Sequence, residues 1–230
     1  LMPRKKKRRV RRLLLKLFLA LVMLSWLPVL ALRWLPPPTT AFMLQQKNTA
    51  QVYYDWTGFA QLGPHAPLAV IAAEDQNFPR HSGFDTTAIQ QAVIDRLDGK
   101  SLRGASTISQ QVAKNLFLWP GRQLSRKILE AWFTLLIEVS WPKQRILEMY
   151  LNIAEFGPGV YGVPAASQRY FGIPPERLTE NQAALLATVL PNPLLFRVEA
   201  PTPYMRERQA WILQQMKQLR DHRDIQETMG

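Results

Sequence analysis

Two adjacent carboxylates, a histidine and a third carboxylate crowd into Glu74-Asp75-Gln76-Asn77-Phe78-Pro79-Arg80-His81-Ser82-Gly83-Phe84-Asp85. Glu74 follows Leu68, Val70, Ile71 and Ala72, so it sits at the end of an apolar helix. A carboxyl in such surroundings has its proton affinity raised, which suits general acid or base work. Taken alone, a Glu-Asp pair at a helix end reads first as a solvated terminus. A second cluster is Gly104-Ala105-Ser106-Thr107-Ile108-Ser109-Gln110-Gln111-Val112-Ala113-Lys114-Asn115. Thr107, Gln110, Gln111 and Lys114 recur at i, i+3, i+4 and i+7, on one helix face. Residues 104–107 offer free N–H groups and hydroxyls to an anion. A polar stripe is ordinarily the wet side of a helix. Two glutamines and a lysine behind Gly-x-Ser-Thr look more like a surface for sugar and phosphate. In the third cluster, Arg122, Arg126, Lys127 and Glu130 gather at the start of a very apolar helix. Arg126 and Glu130 make an i,i+4 pair, which reads either as a structural ion pair or as a cationic phosphate site that Glu130 holds in place.

The elements that must position these groups read as helices, because strand signals are sparse. Pro67 opens a helix towards Glu74. Asp85 caps a second one, with Ile89, Ala92, Val93 and Leu97 on one face and Gly99 as its stop. A third helix covers 107–116. Residues 123–139 are apolar almost all round, which predicts the buried central helix. Pro142 starts a helix with Ile146, Leu147, Tyr150 and Leu151 inward. Thr179-Glu180-Asn181-Gln182 is a capping box ahead of 183–190, and Thr202-Pro203 opens a last helix. The expected fold class is all-α.

Composition narrows the chemistry. The chain has 230 residues, no cysteine and three histidines, which removes disulfide scaffolds, thiolate metal sites, cysteine nucleophiles and paired-histidine zinc motifs. Its net charge of +12 suggests nucleic acid, but eight of the 29 basic residues lie within residues 1–12. Without them 21 basic face 17 acidic residues, an ordinary +4. No nucleic acid is expected as a partner. Behind this basic cytoplasmic segment, 13–35 is long and apolar enough for a transmembrane helix, with Lys16 and Arg33 at its ends. The positive-inside rule puts the N-terminus in the cytoplasm and the rest outside. A cleaved signal peptide would have a shorter apolar run and a small-residue cleavage site, and the sequence around Leu30-Ala31-Leu32-Arg33 offers none. A stiff Pro-rich linker over 36–50 then leads to one domain over 51–230. The run Leu116-Phe117-Leu118-Trp119-Pro120 reads either as core or as a lip that touches lipid.

Five ordered motifs across 74–172 carry a resemblance. Glu74-Asp75-x-x-Phe78-x-x-His81-x-Gly83-x-Asp85 resembles the first signature of the peptidoglycan glycosyltransferases. Gly104-x-Ser106-Thr107-Ile108-x-Gln110-Gln111-x-x-Lys114-Asn115 is similar to the second, and Arg126-Lys127-x-x-Glu130 to the third. Lys143-x-x-Ile146-Leu147-Glu148-x-Tyr150-Leu151-Asn152 is similar to the fourth, and Gly162-Val163-x-Ala165-Ala166-x-x-x-Tyr170-Phe171-Gly172 to the fifth. The resemblance implies a lysozyme-like helical domain that polymerises lipid II into glycan strands at the cell inner membrane, with its catalytic domain periplasmic. It implies Glu74 as general base and Glu130 as the group orienting the site's cations. Lys114 and Arg122 would stabilise the pyrophosphate that leaves, joined by Arg126 and Lys127, while Ser106, Thr107, Gln110 and Gln111 line the donor site. No cofactor is required, and a divalent cation (Mg or Mn) at the pyrophosphate is the one addition allowed. Lipid II, the growing lipid-linked chain, the membrane and cell-division or elongation proteins are the implied partners. The family's hydrophobic subdomain dips into the bilayer, which favours the lipid-lip reading of 117–119. Glu148, Tyr150 and Asn152 read as architecture.

Ser140-Trp141-Pro142-Lys143 spells the acylation motif of penicillin-binding modules, but Lys143 belongs to the fourth signature and no Lys-Thr-Gly follows. The protein is therefore expected to be monofunctional. A glycan-cleaving lysozyme-like enzyme is the nearest rival, and it needs no cationic pyrophosphate pocket. An inactive anchored scaffold is the non-enzymatic alternative.

Overall fold

A computed structural model describes residues 4–46, 51–97, 106–121 and 123–230. The chain divides into two compact units, Leu1–Pro37 and Pro38–Gly230. The first is helix α1, Arg4–Leu32. Within it Arg11–Leu32 is a 22-residue stretch long and apolar enough to cross a membrane, about 33 Å at the helical rise. Leu13, Leu17, Leu21 and Leu24 are exposed on it. Ser25 donates to the Val22 carbonyl at 2.7 Å, so this polar group is satisfied within the helix.

The second unit is helical with one small sheet. In order it holds α2 (Ala41–Leu44), β1 (Tyr53–Tyr54), α3 (His65–Glu74), α4 (Thr86–Leu97), α5 (Ile108–Phe117), α6 (Leu124–Ser140), α7 (Lys143–Ile153), β2 (Glu155–Gly157), β3 (Val160–Tyr161), α8 (Gly162–Phe171), α9 (Glu180–Ala187), α10 (Pro203–Leu219) and α11 (Arg223–Met229). Short 3-10 turns lie at Phe59–Leu62 and Pro175–Arg177. The strand order is β1-β3-β2, with β1 parallel and β2 antiparallel to β3. These strands are two or three residues long, too short for an alternating pattern to announce them. α5 packs against α6 and α7, while α3, α9 and α10 pack on one another. The core is drawn from α3, α5 and α7, with Ile71, Ile108, Val112, Ile146, Leu147 and Leu151 fully buried.

Several local expectations hold. Asp85 caps α4, accepting from the Ala88 N–H at 2.9 Å. Thr179 and Gln182 form the expected capping box of α9. Other expectations change. α3 begins at His65, two residues before Pro67, which sits in the first turn where its missing N–H has no role. The segment expected as linker over 36–50 holds α2, capped by Thr40 and packed on α5. α10 is followed by α11. Gly99 lies outside the described residues.

The largest correction concerns α6. It was expected to be the buried central helix. Instead it buries Arg126, Glu130 and Thr134 together with Leu136 and Ile137. Leu124, Ile128, Leu135 and Val139 are exposed, Ile128 by 62% and Val139 by 76%. Arg126 and Glu130 turn inward as an ion pair within the helix, Glu138 meets Ser109 and Lys143, and part of the apolar surface faces outward.

Candidate active site

Glu74 is the last residue of α3, where the backbone leaves the core and the helix stops forcing side chains inward. Its Oε2 accepts from Gln111 Nε2 on α5 at 2.8 Å. The Gln111 Oε1 in turn accepts from the Tyr150 hydroxyl on α7 at 3.1 Å. Burial pushes the Glu74 carboxyl above the usual carboxylate range, and the Gln111 bond and the charges of Arg208 and Lys114 pull it part of the way back. A carboxylate held this way is a stronger base than a solvated one and still has a donor to stabilise its charge.

Asp75 plays a different part. Its Oδ2 accepts the Ile108 N–H at 2.9 Å, at the N-terminus of α5, where a carboxylate complements the helix dipole. Both its oxygens lie 3.0 Å from His81 Nε2. His81 Nδ1 accepts the Gly83 N–H at 3.1 Å, so the ring proton sits on Nε2 and points at Asp75. Asp75 and His81 thus lock the start of α5 to the end of α3 and shape the cleft. Gly83 has φ +88, and a Cβ there would meet Thr134 Cγ2 at 2.7 Å, so α6 closes on bare backbone. Asp85 opposes its burial with bonds from Thr87, Ala88 and Asn77, which hold its carboxyl down to about 2.

Two cavities lie at these residues, and Gln111 lines the second. One, of about 200 Å³, is lined by Glu74, Asp75, Asn77, Asp85, Ser106 and Thr107. The other, of about 250 Å³, is lined among others by Gln111, Lys114, Asn115, Tyr150 and Glu155. Burial lowers the Lys114 ammonium from its ordinary range, Glu130 opposes that, and Arg126 and Lys127 add to it. Lys114 sits over the Phe42 ring at 5.5 Å and has no ion pair among the described residues. Nearby, Arg126 Nη1 donates to Glu130 Oε2 at 2.7 Å, and Lys127 binds the other Glu130 oxygen. Arg126 and Glu130 are buried, and Arg126 Nε has no hydrogen-bond partner. Three cations around one carboxylate leave a net positive patch that an anion would complete.

The expected site residues therefore separate. Glu74, Gln111 and Lys114 come together along α3 and α5. Ser106 and Thr107 line the cavity that holds Glu74, not the one that holds Lys114. Thr107 and Gln110 also serve locally, at the start of α5. The Thr107 N–H donates to Gln110 Oε1 at 3.0 Å and the Gln110 N–H to Thr107 Oγ1 at 3.2 Å, a capping box that starts α5. The Thr107 hydroxyl also donates to the Gly83 carbonyl at 2.7 Å. Arg126, Lys127 and Glu130 form the cationic patch. Arg122 lies outside the described residues. Glu148 and Asn152 are architectural as expected, binding the backbone of Phe59 and Thr57.

Three residues at the site escaped sequence reasoning. Tyr150 read as core, which its periodicity and burial justify, yet its hydroxyl reaches Gln111. Arg208 on α10 donates to the Ala73 carbonyl at 2.8 Å, next to Glu74. Glu155, its carboxyl raised by burial, lines the second cavity. Neither Arg208 nor Glu155 stands in a spacing that singles it out.

Fold and sequence together define the class. The transglycosylase family model matches residues 42–217. A biosynthetic peptidoglycan transglycosylase of Ectopseudomonas mendocina is 53% identical over 219 residues, covering 92% of this chain and 90% of that protein. The Pseudomonas aeruginosa protein of that name is 53% identical over 215 residues, covering 90% of this chain and 93% of its own. The one from Escherichia coli is 52% identical over 219 residues, covering 91% and 90%. The chain belongs to the transglycosylase family.

Proposed function

We propose that this peptidoglycan glycosyltransferase joins two lipid-linked substrates across Gln111, with lipid II as acceptor and the growing glycan chain as donor. Its activity is glycan-strand polymerisation in cell-wall biogenesis. Glu74 takes the proton of the GlcNAc 4-hydroxyl on lipid II. The freed oxygen bonds to C1 of the terminal MurNAc while the C1–oxygen bond to pyrophosphate breaks. Undecaprenyl pyrophosphate leaves with that electron pair, and the anomeric centre inverts. Lys114, with Arg126 and Lys127 behind it, neutralises the charge that develops on the leaving group. Glu130 keeps those like charges close together. Arg122 belongs to the same group by its motif.

The observation that carries this reading is the pairing of a base and a cation on either side of Gln111. Glu74 is half-buried, raised and hydrogen-bonded, and Lys114 is half-buried with no ion pair among the described residues. Among the described residues no three His, Asp or Glu side chains gather as a metal site. A divalent cation at the pyrophosphate is the one addition the resemblance allows, and no step above runs through one.

A lipid-linked substrate calls for a membrane-bound enzyme. The apolar stretch Arg11–Leu32 supports a single-pass anchor in the inner membrane, and the basic residues before it support a cytoplasmic N-terminus with a periplasmic catalytic domain. The outward Leu124, Ile128, Leu135 and Val139 of α6, and exposed Trp119, support contact of the domain with lipid. Cell-division or elongation proteins are proposed as partners on the resemblance alone.

Purified protein given lipid II in detergent should yield lysozyme-digestible strands, and Glu74→Gln should abolish them. Undiminished polymer from that variant would remove Glu74 as the base. Digestion of preformed glycan without synthesis would favour a hydrolase, and neither activity an inactive scaffold.

A further inference from the structure

The hydrogen bonds around Glu74 have a direction that chemistry fixes. An ionised carboxylate only accepts, so the Gln111 nitrogen must face Glu74. The Gln111 oxygen then faces Tyr150, and the tyrosine hydroxyl must donate to it. Tyr150 is 1% exposed, and desolvation raises its hydroxyl well above the ordinary range, so it remains a donor. If the carboxamide turned over, its oxygen would face the Glu74 carboxylate and its N–H groups would face the hydroxyl. That arrangement suits only a protonated Glu74. We propose that Tyr150 is a positioning residue of the reaction: its buried hydroxyl holds the Gln111 carboxamide in the orientation that donates to ionised Glu74.

This inference rests on Glu74 being the base, and it assigns a task to a residue that packing alone would explain. The Cα atoms of α3, α5 and α7 are fixed by the core, so each of the three side chains arrives from its own helix. A two-bond chain across three helices needs its middle member locked, because an amide can present either end. Phenylalanine would fill the Tyr150 site equally well and would lack the lock. The other ionisable groups facing Glu74 are Lys114 on α5, Arg208 on α10 and Asp75 beside it. Among the described residues the Gln111 carboxamide is bonded to Glu74 and Tyr150, and the hydroxyl is its only donor there.

The sign of the effect follows. Glu74 acts when ionised, so turnover is lost on the acid side. A bond donated to the carboxylate lowers its proton affinity, and losing that bond raises it. Tyr150→Phe should therefore lose turnover on the acid side first. With the full chain and lipid II in detergent, kcat of Tyr150→Phe should fall about three- to tenfold more at acidic than at alkaline pH, the span of one net hydrogen bond. KM for lipid II should stay as in the unaltered protein. Gln111→Ala should show the same acid-side loss, and adding Tyr150→Phe to it should bring no further loss. A folded Tyr150→Phe with an unaltered pH profile would overturn the proposal, as would an undiminished further loss in the Gln111→Ala background. If Tyr150→Phe does not fold, Gln111→Asn tests the same link, since the shorter amide cannot span both partners. It too should lose activity on the acid side, and an unaltered profile would overturn the proposal. Glu74→Gln run alongside separates the two readings: its inactivity upholds the base whatever Tyr150→Phe does, and its activity removes the base and this inference with it.

Discussion

α6 and α7 are consecutive amphipathic helices, and they differ in what they bury. α7 follows the ordinary rule: Ile146, Leu147, Leu151 and Ile153 are fully buried, and Lys143 and Arg145 lie nearer the surface. α6 turns Arg126, Glu130 and Thr134 inward beside Leu136 and Ile137, and leaves Leu124, Ile128, Leu135 and Val139 out. Hydrophobic patterning reports a preference between two surroundings, not between inside and outside. α7 has protein on its apolar face and water beyond. α6 has a charged site on its inner face and, on the proposed reading, lipid on its outer one. The same residue types build a core in one helix and, on the proposed reading, would meet lipid in the other.

The contrast can be broken most sharply at Glu130. Its carboxylate is 3% exposed and compensates Arg126 and Lys127. Glu130→Ala should cost about 3–5 kcal/mol, the usual loss when one partner of a buried pair is removed. Chemical denaturation measures that, and polymerisation should fail with it as the cations separate. Leu147, fully buried, is the comparison on α7. Leu147→Ala should cost about 2–5 kcal/mol through the cavity it leaves. The two can cost similar amounts for different reasons, and volume tells them apart: Leu147→Met should restore most of the loss, whereas Glu130→Met leaves two cations unpaired. Equal recovery in both would mean that α6 is held by packing after all.

How much of this was legible depended on what each residue's neighbours were. The helices, the Asp85 cap and the polar face of α5 follow from local spacing, because their causes lie within a few residues. The two capping boxes are instructive. Thr179-Glu180-Asn181-Gln182 was read as a cap, and Thr107-Ile108-Ser109-Gln110 has the same Thr-x-x-Gln form. There the glycine, serine and lysine around it point to a ligand surface, and the capping role stands beside that reading. Gln111, one residue on, is the amide that reaches the carboxylate. The Tyr150 link, the Arg208 bond to Ala73 and the Glu155 wall join residues far apart in the chain, which no spacing rule can see. Burial along α6 is not legible in its apolar pattern, because Arg126 and Glu130 turn inward as an ion pair and leave Leu124, Ile128, Leu135 and Val139 exposed.

The smallest effect on stability should come from the outer face of α6, and it tests the lesson most directly. Val139 is 76% and Ile128 is 62% exposed, so neither contributes much to the core. Ile128→Ser with Val139→Ser should change unfolding free energy in buffer by only about 0.5 kcal/mol per site, as surface substitutions do. In a bilayer the same two changes remove apolar area that would leave water. Turnover of lipid II in detergent, where substrate and enzyme share micelles, should be nearly unchanged. Turnover in liposomes of the protein lacking residues 1–37 should fall, because that protein has only its own surface to hold the membrane. A double variant as active on liposomes as its parent would mean that the outward leucines face water, and the comparison with α7 would lose its physical cause. A variant that is destabilised in buffer would instead return α6 to the ordinary rule.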